Sequence, residues 1–134
     1  MSDSQTPEAP IDMEKAQRFF FKVMGDVAAA QMGPLTLLAD RLNLFRTLAD
    51  SGPVSSAQFA ERADIQERYA REWLSAMACH GYVSYDDASK RFTLPSEHAF
   101  CLSDPDSPLY LGSLFAMAQP YWANVDLLAN TFRH

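Results

Sequence analysis

The sequence predicts a mainly α winged helix-turn-helix with a two-stranded wing hairpin and extra helices at its N- and C-terminal ends. Three observations predict it. Several consecutive segments carry apolar residues at spacings of three and four, the signature of amphipathic helices. Ser55 stands three residues before Gln58, a capping-box spacing that opens a short helix ahead of a longer one. Straight after the longer helix, aromatic and β-branched residues flank an Asp-Asp-Ala-Ser-Lys turn. Helix, short helix, turn, longer helix and hairpin, in that order, are a helix-turn-helix followed by a wing.

Residues 1–12 are polar, contain Pro7 and Pro10 and have no periodicity, so a disordered acidic tail is expected there. From Met13, Phe20, Val23, Met24, Val27 and Gln31 mark one helical face, widened by Phe19, Ala28 and Ala30. Gly33 predicts its end and Pro34 the start of the next helix, whose face is Leu35, Leu38, Leu42, Phe45 and Leu48 or Ala49. Gly52 and Pro53 stop that helix. The capped short helix runs through Phe59, Ala60 and Ala63, with Asp64 as its end or the next cap. Tyr69, Ala70, Trp73, Leu74, Met77 and Ala78 then predict a helix over residues 66–80, ended by Gly81. Residues 82–85 and 91–94 read as the wing strands, closed by Pro95. Residues 96–108 look like an irregular connection, and 109–132 return to helical periodicity with a break at Pro120. The resulting division is a tail over 1–12, an N-terminal helix over 13–33, a winged-helix core over 34–95 and a connection with a C-terminal helical segment over 96–134, together one domain.

Composition narrows the function. A chain of 134 residues with 48% hydrophobic and 21% charged residues fits one ordinary globular core. No apolar stretch approaches the roughly 20 residues needed to cross a bilayer, so no membrane association is expected. Asp3, Glu8 and Asp12, with no basic residue among the first twelve, are the reverse of a secretory leader, which makes the cytoplasm the expected compartment. Cys79 and Cys101 then read as reduced thiols. With His80, His98 and His134 they show no metal-ligand spacing, so no metal is expected. No base and nucleophile pair up in the sequence, and no catalytic residue is predicted.

A net charge of −6 opposes a polyanionic partner. The predicted DNA face of such a fold would be Gln66, Arg68, Arg71, Ser75, Lys90 and Arg91, with the helix over 66–80 in the major groove and the hairpin on phosphates. From Ser55 to Thr93, five basic residues (Arg62, Arg68, Arg71, Lys90, Arg91) meet six acidic ones (Glu61, Asp64, Glu67, Glu72, Asp86, Asp87), a balance of −1. Glu67 before Arg71 and Arg68 before Glu72 sit at pairing distance on one helix. DNA is therefore the disfavoured partner. Phe20, Met24, Phe115, Met117, Tyr121 and Trp122 are candidates for lining a substrate pocket or an interface, set against ordinary burial in the core. Apolar faces on the first and last helices, outside the winged-helix unit, favour a homodimer.

The strings Leu-Ala-Asp-Arg-Leu-Asn-Leu-Phe-Arg-Thr-Leu-Ala over 38–49, Ala-Glu-Arg-Ala over 60–63, Glu-Arg-Tyr-Ala-Arg-Glu-Trp-Leu over 67–74, Gly-Tyr-Val-Ser-Tyr over 81–85 and Leu-Pro-Ser-Glu-His over 94–98 carry a resemblance. Over roughly residues 31–132 the chain resembles the winged-helix domain that precedes the catalytic domain in actinobacterial-type class I S-adenosylmethionine (SAM)-dependent methyltransferases. The resemblance implies a dimerisation element and partial lid over a substrate pocket rather than a gene regulator. It also implies that SAM binds only in a following doubly wound α/β domain, at a Gly-rich turn with an acidic residue on the ribose. No Gly-x-Gly occurs in this sequence, so no cofactor is expected in this chain. Asn43 stands where the family usually has glycine, and asparagine tolerates the left-handed conformation that would break a helix there. The sequence stops at Phe132-Arg-His134, about where the family's linker to the catalytic domain begins, as a piece of a longer chain or a short gene product would. Three readings result: a dimerising and pocket-forming domain of a methyltransferase, a dimeric winged-helix DNA-binding regulator, and a stand-alone helper subunit of a separate methyltransferase chain.

Overall fold

The computed structural model describes residues 10–133. The expected tail therefore lies outside the described residues except for Pro10, Ile11 and Asp12, which are exposed and outside any helix; His134 also lies outside them. The described elements are α1 (Met13–Arg41), α2 (Leu44–Ser51), α3 (Ser56–Ala63), α4 (Glu67–Cys79), β1 (Ser84–Asp86), β2 (Arg91–Thr93), α5 (Ser96–Leu102), a 3₁₀ turn (Leu114–Ala118), α6 (Gln119–Ala123) and α7 (Val125–Arg133). The chain divides into two compact units, with the boundary inside α1 between Met32 and Gly33. The predicted fold class, a mainly α winged helix-turn-helix with one hairpin, is the observed one.

Of the first unit, the described residues are helical from Met13 onward. Asp12 starts the helix by accepting the backbone N–H groups of Glu14 and Lys15, satisfying donors that have no partner in the first turn. Those bonds and the Lys15 ammonium hold the Asp12 carboxyl below the usual carboxylate range. Arg18–Glu14 and Lys22–Asp26 pair along one face. Phe19, Phe20, Phe21, Val23, Met24 and Val27 are all exposed.

In the second unit the core gathers around α4. Phe59, Leu44, Leu48, Leu74, Met77 and Val54 are fully buried. Trp73 sits between Phe45 and Phe59, with ring centroids 5.3 Å and 5.8 Å away, tilted against the first and stacked on the second. Its indole N–H donates to the Leu35 carbonyl at 3.1 Å, so the polar end of a large buried ring is satisfied. The capping box forms as predicted: the Ser55 hydroxyl accepts from the Gln58 amide, and the Gln58 side chain accepts from the Ser55 amide. Asp64 ends α3 in a left-handed conformation (φ 51°) and starts the turn into α4.

Several boundaries differ from expectation, among them those of the wing strands, Ser84–Asp86 and Arg91–Thr93 against 82–85 and 91–94. Gly33 and Pro34 do not separate two helices; α1 runs through them to Arg41. Gly33 has no Cβ to clash with the following proline ring, and burial of Thr36 and Ala39 holds the helix beyond it. The break falls at Asn43, which is left-handed (φ 54°, ψ 32°), a conformation that asparagine tolerates. Residues 96–102 form α5 rather than irregular chain, with Pro95 at its N-cap. The C-terminal segment changes from the 3₁₀ turn to α6 one residue before Pro120, which sits in the first turn of α6 where its missing N–H costs nothing, and it breaks again at Asn124.

The hairpin is antiparallel with Ser84 opposite Thr93, Tyr85 opposite Phe92 and Asp86 opposite Arg91. A third element joins it. The Val54 and Phe92 backbones exchange hydrogen bonds of 3.0 and 2.8 Å, tying the segment before α3 to the wing.

Candidate functional site

The face built by α4 and the wing is where a DNA-reading winged helix makes its contacts, so the fate of each charge on it matters. Arg71 pairs with Glu67 at 3.5 Å, as the spacing predicts, and Glu67 also accepts the Ser56 hydroxyl at 2.7 Å. The expected Arg68–Glu72 pair does not form, and Arg68 is exposed with no ion pair among the described residues. Arg91 is not a surface cation in function. Its guanidinium donates to the Pro53 carbonyl and to Gln58 Oε1, both at 3.0 Å, locking the wing onto the α3 cap. Lys90 pairs with Asp87 at 2.6 Å. Gln66 is the N-cap residue of α4 and faces a separate cleft.

Asp86 shapes the wing tip. The Ser89 hydroxyl and amide both donate to its carboxylate, and together they hold that carboxyl below the usual carboxylate range. A depressed folded pKa means that the stabilisation of this turn is complete above the unfolded value and is lost as pH falls through the folded one. The Ser89 amide resonance is accordingly expected to titrate with a midpoint below the ordinary aspartate value, and Asp86→Asn to abolish that titration. A midpoint at or above the ordinary aspartate value would contradict the turn described.

Arg71, Ser75 and Lys90 come together on one groove of about 420 Å³ between α4 and the wing, with Ser56, Ala78, Cys79, Tyr85 and Phe92 completing its lining. The last five are missing from the sequence-derived face. The four-residue spacing of Arg71, Ser75 and Cys79 was a usable signal for one wall; the floor depends on the Tyr85–Phe92 strand register, which no local pattern carries. A second, mostly apolar cleft of about 480 Å³ lies between Leu38, Leu42 and Leu44 on one side and Asp64, Ile65, Gln66, Tyr69 and Trp73 on the other.

The six candidate lining residues fall in two places. Phe20 and Met24 are on the exposed apolar stripe of α1. Phe115 and Met117 are in the 3₁₀ turn and Tyr121 and Trp122 in α6; Phe115 is half-buried and the other three are exposed. The Trp122 ring lies against Gly33, where any side chain would overlap it. The Arg41 guanidinium donates to Gln119 Oε1, and the Tyr110 hydroxyl donates to Asp40, anchoring this segment along the end of α1. Burial first, then the neighbouring Asp40 charge, pushes the Tyr110 phenol up.

Two histidines serve the backbone: the His98 ring bonds the Tyr82 carbonyl at 2.8 Å and the His80 ring that of Ala76 at 3.0 Å. Cys79 and Cys101 are free thiols. Among the described residues no three of His, Cys, Asp and Glu converge on a metal position, and no helix is long and apolar enough to cross a membrane.

A family model described as the Rv2258c-like winged HTH domain matches residues 30–104, more than half of the chain. Similar solved structures include human N-acetylserotonin methyltransferase in complex with SAM (16% identity over all of this chain and 36% of that one, TM-score 0.67). They also include PigF with SAH (22% identity, 82% of this chain and 33% of that one, TM-score 0.67) and the mitomycin 7-O-methyltransferase MmcR (21% identity, 90% and 35%, TM-score 0.66). The chain spans about a third of the length of these structures. At these identities the likeness is one of fold. No curated protein matches the chain.

Proposed function

The chain belongs to the Rv2258c-like winged helix-turn-helix domain family, and from that membership we propose that it is the winged-helix domain of a SAM-dependent methyltransferase. In this reading it serves dimerisation and formation of the substrate pocket, and is catalytically silent by itself. The observation that carries the reading is the apolar stripe of α1: Phe20, Val23, Met24 and Val27 are between 40% and 57% exposed at helical spacing, a surface that a single copy leaves in water. A second copy offering the same stripe would cover it through an isologous contact. The fold likeness to methyltransferases supports the same reading, and SAM would bind in an α/β domain outside this sequence.

The regulator reading has one observation in its favour, the unpaired Arg68 on the exposed side of α4. Against it stand Arg91, spent on the framework, the net charge of −6, and the carboxylates of Glu67, Asp86 and Asp87, which would meet a phosphate backbone wherever Arg71 and Lys90 did. What remains is not the basic stripe that draws a phosphate backbone.

Sedimentation velocity and calorimetry test the proposal. The chain, of mass 15.0 kDa, is expected to sediment as a dimer at tens of micromolar and to show no saturable heat with SAM. A monomer throughout that range, or saturation near one equivalent of SAM, would overturn it.

A further inference from the structure

The groove between α4 and the wing is left over by the reading above, and its chemistry is unlike that of a phosphate-tracking surface. Its floor is the buried Phe92 ring with Ala78. Tyr85 stands against Phe92, ring centroids 4.7 Å apart and tilted by 39°, and forms one wall. Arg71, Ser75 and Cys79 follow one another at four-residue spacing along α4 and form the other, so a single helix face presents a cation, a hydroxyl and a thiol in a row. Lys90 closes the wing end and Ser56 the α3 end. At about 420 Å³ the groove is at the small end of the range for small-molecule sites, suited to one or two rings.

Charge selects the occupant. Arg71 and Lys90 are cations, and none of the residues lining the groove is acidic. Glu67 and Asp87, which pair with those cations, stand outside the lining, and both pairs are exposed, a setting in which ion pairs contribute little. The Ser75 hydroxyl makes no hydrogen bond among the described residues, whereas that of Ser56 is held by Glu67. We infer that this groove binds a small planar aromatic carboxylate. Its ring lies against Tyr85 and Phe92, the forked guanidinium of Arg71 receives the two carboxylate oxygens, and Lys90 adds a second positive charge. The groove shares no residue with the α1 stripe, so its failure and that of the dimer reading are distinguishable.

The test is an amide-shift titration of the ¹⁵N-labelled 134-residue chain with 2-naphthoate, and with 2-naphthamide, which keeps the rings and removes the charge. Saturable shifts confined to residues 71–79 and 84–92 are expected, at least about tenfold weaker for the amide and for Arg71→Met, whose stem keeps the wall in place. Ser75→Trp, an exposed helix position, is expected to fill the groove and abolish the shifts while the rest of the spectrum stays folded. No saturation up to millimolar naphthoate, equal binding of the amide, or shifts indifferent to both variants would overturn the inference. So would salt-sensitive shifts of the same residues by duplex DNA with none from naphthoate.

Discussion

Trp73→Ala is expected to lower the unfolding free energy by about 3–5 kcal/mol, the cost of removing a large aromatic side chain from a packed core. The ring is 4% exposed and contacts Phe45 of α2 and Phe59 of α3, while its N–H reaches the Leu35 carbonyl of α1. One side chain thus joins four helices. Because small domains are stable by only about 5–15 kcal/mol, the loss is a large fraction of the total. In urea, where the slope is about 1–3 kcal/mol per molar, the midpoint should fall by at least about 1 M. Trp73→Phe keeps most of the ring and forfeits the hydrogen bond, and should cost roughly 1–3 kcal/mol, leaving the Leu35 carbonyl to its helix. A loss below 1 kcal/mol for the alanine variant would mean that the core is not centred on this residue.

The second large effect concerns association. Phe20→Asp with Met24→Asp puts two carboxylates, four residues apart, on the stripe proposed to meet its copy across a two-fold axis, so four charges would face one another. Burying an unpaired charge costs several kcal/mol, and each 1.4 kcal/mol is tenfold in affinity. The dimer constant should weaken by more than about 100-fold, giving a monomer by sedimentation at tens of micromolar. The fold should be retained, since neither side chain belongs to the core of the second unit and both are exposed. A double variant that stays dimeric would move the interface elsewhere, with the C-terminal helices Gln119–Ala123 and Val125–Arg133 as the next apolar surface.

How much of this was legible in the sequence depends on the range of the interaction. The capping box of α3 rests on residues three apart, and α4 on a face of 3.6-residue period, so both were readable. The hairpin was readable from its residue types, though its strands are shorter than the aromatic run suggested. Gly33 and Pro34 misled because they are local stop signals overruled by packing, in which Thr36 and Ala39 are buried. α5 was hidden between Pro95 and the Asp-Pro-Asp run, with no fully buried residue to mark a face. The Val54 bridge to Phe92 is a single residue pair and has no periodicity to detect. For the site, α4 spacing placed Arg68, Arg71 and Ser75 on one surface, but the removal of Arg91 from it depends on a contact 38 residues away in the chain. The groove itself needs helix, hairpin register and the start of α3 at once.

The measurement that tests the central claim most directly is fluorescence anisotropy of labelled random and promoter-derived duplexes against the intact chain at low and moderate salt. With a net charge of −6, Arg91 spent on the framework, and carboxylates beside Arg71 and Lys90 that leave Arg68 as the one unpaired cation among the described residues of the face, no saturable binding is predicted at either salt. Saturable, sequence-dependent binding that weakens steeply with salt would contradict the account and make the chain a regulator of DNA rather than a domain of a methyltransferase.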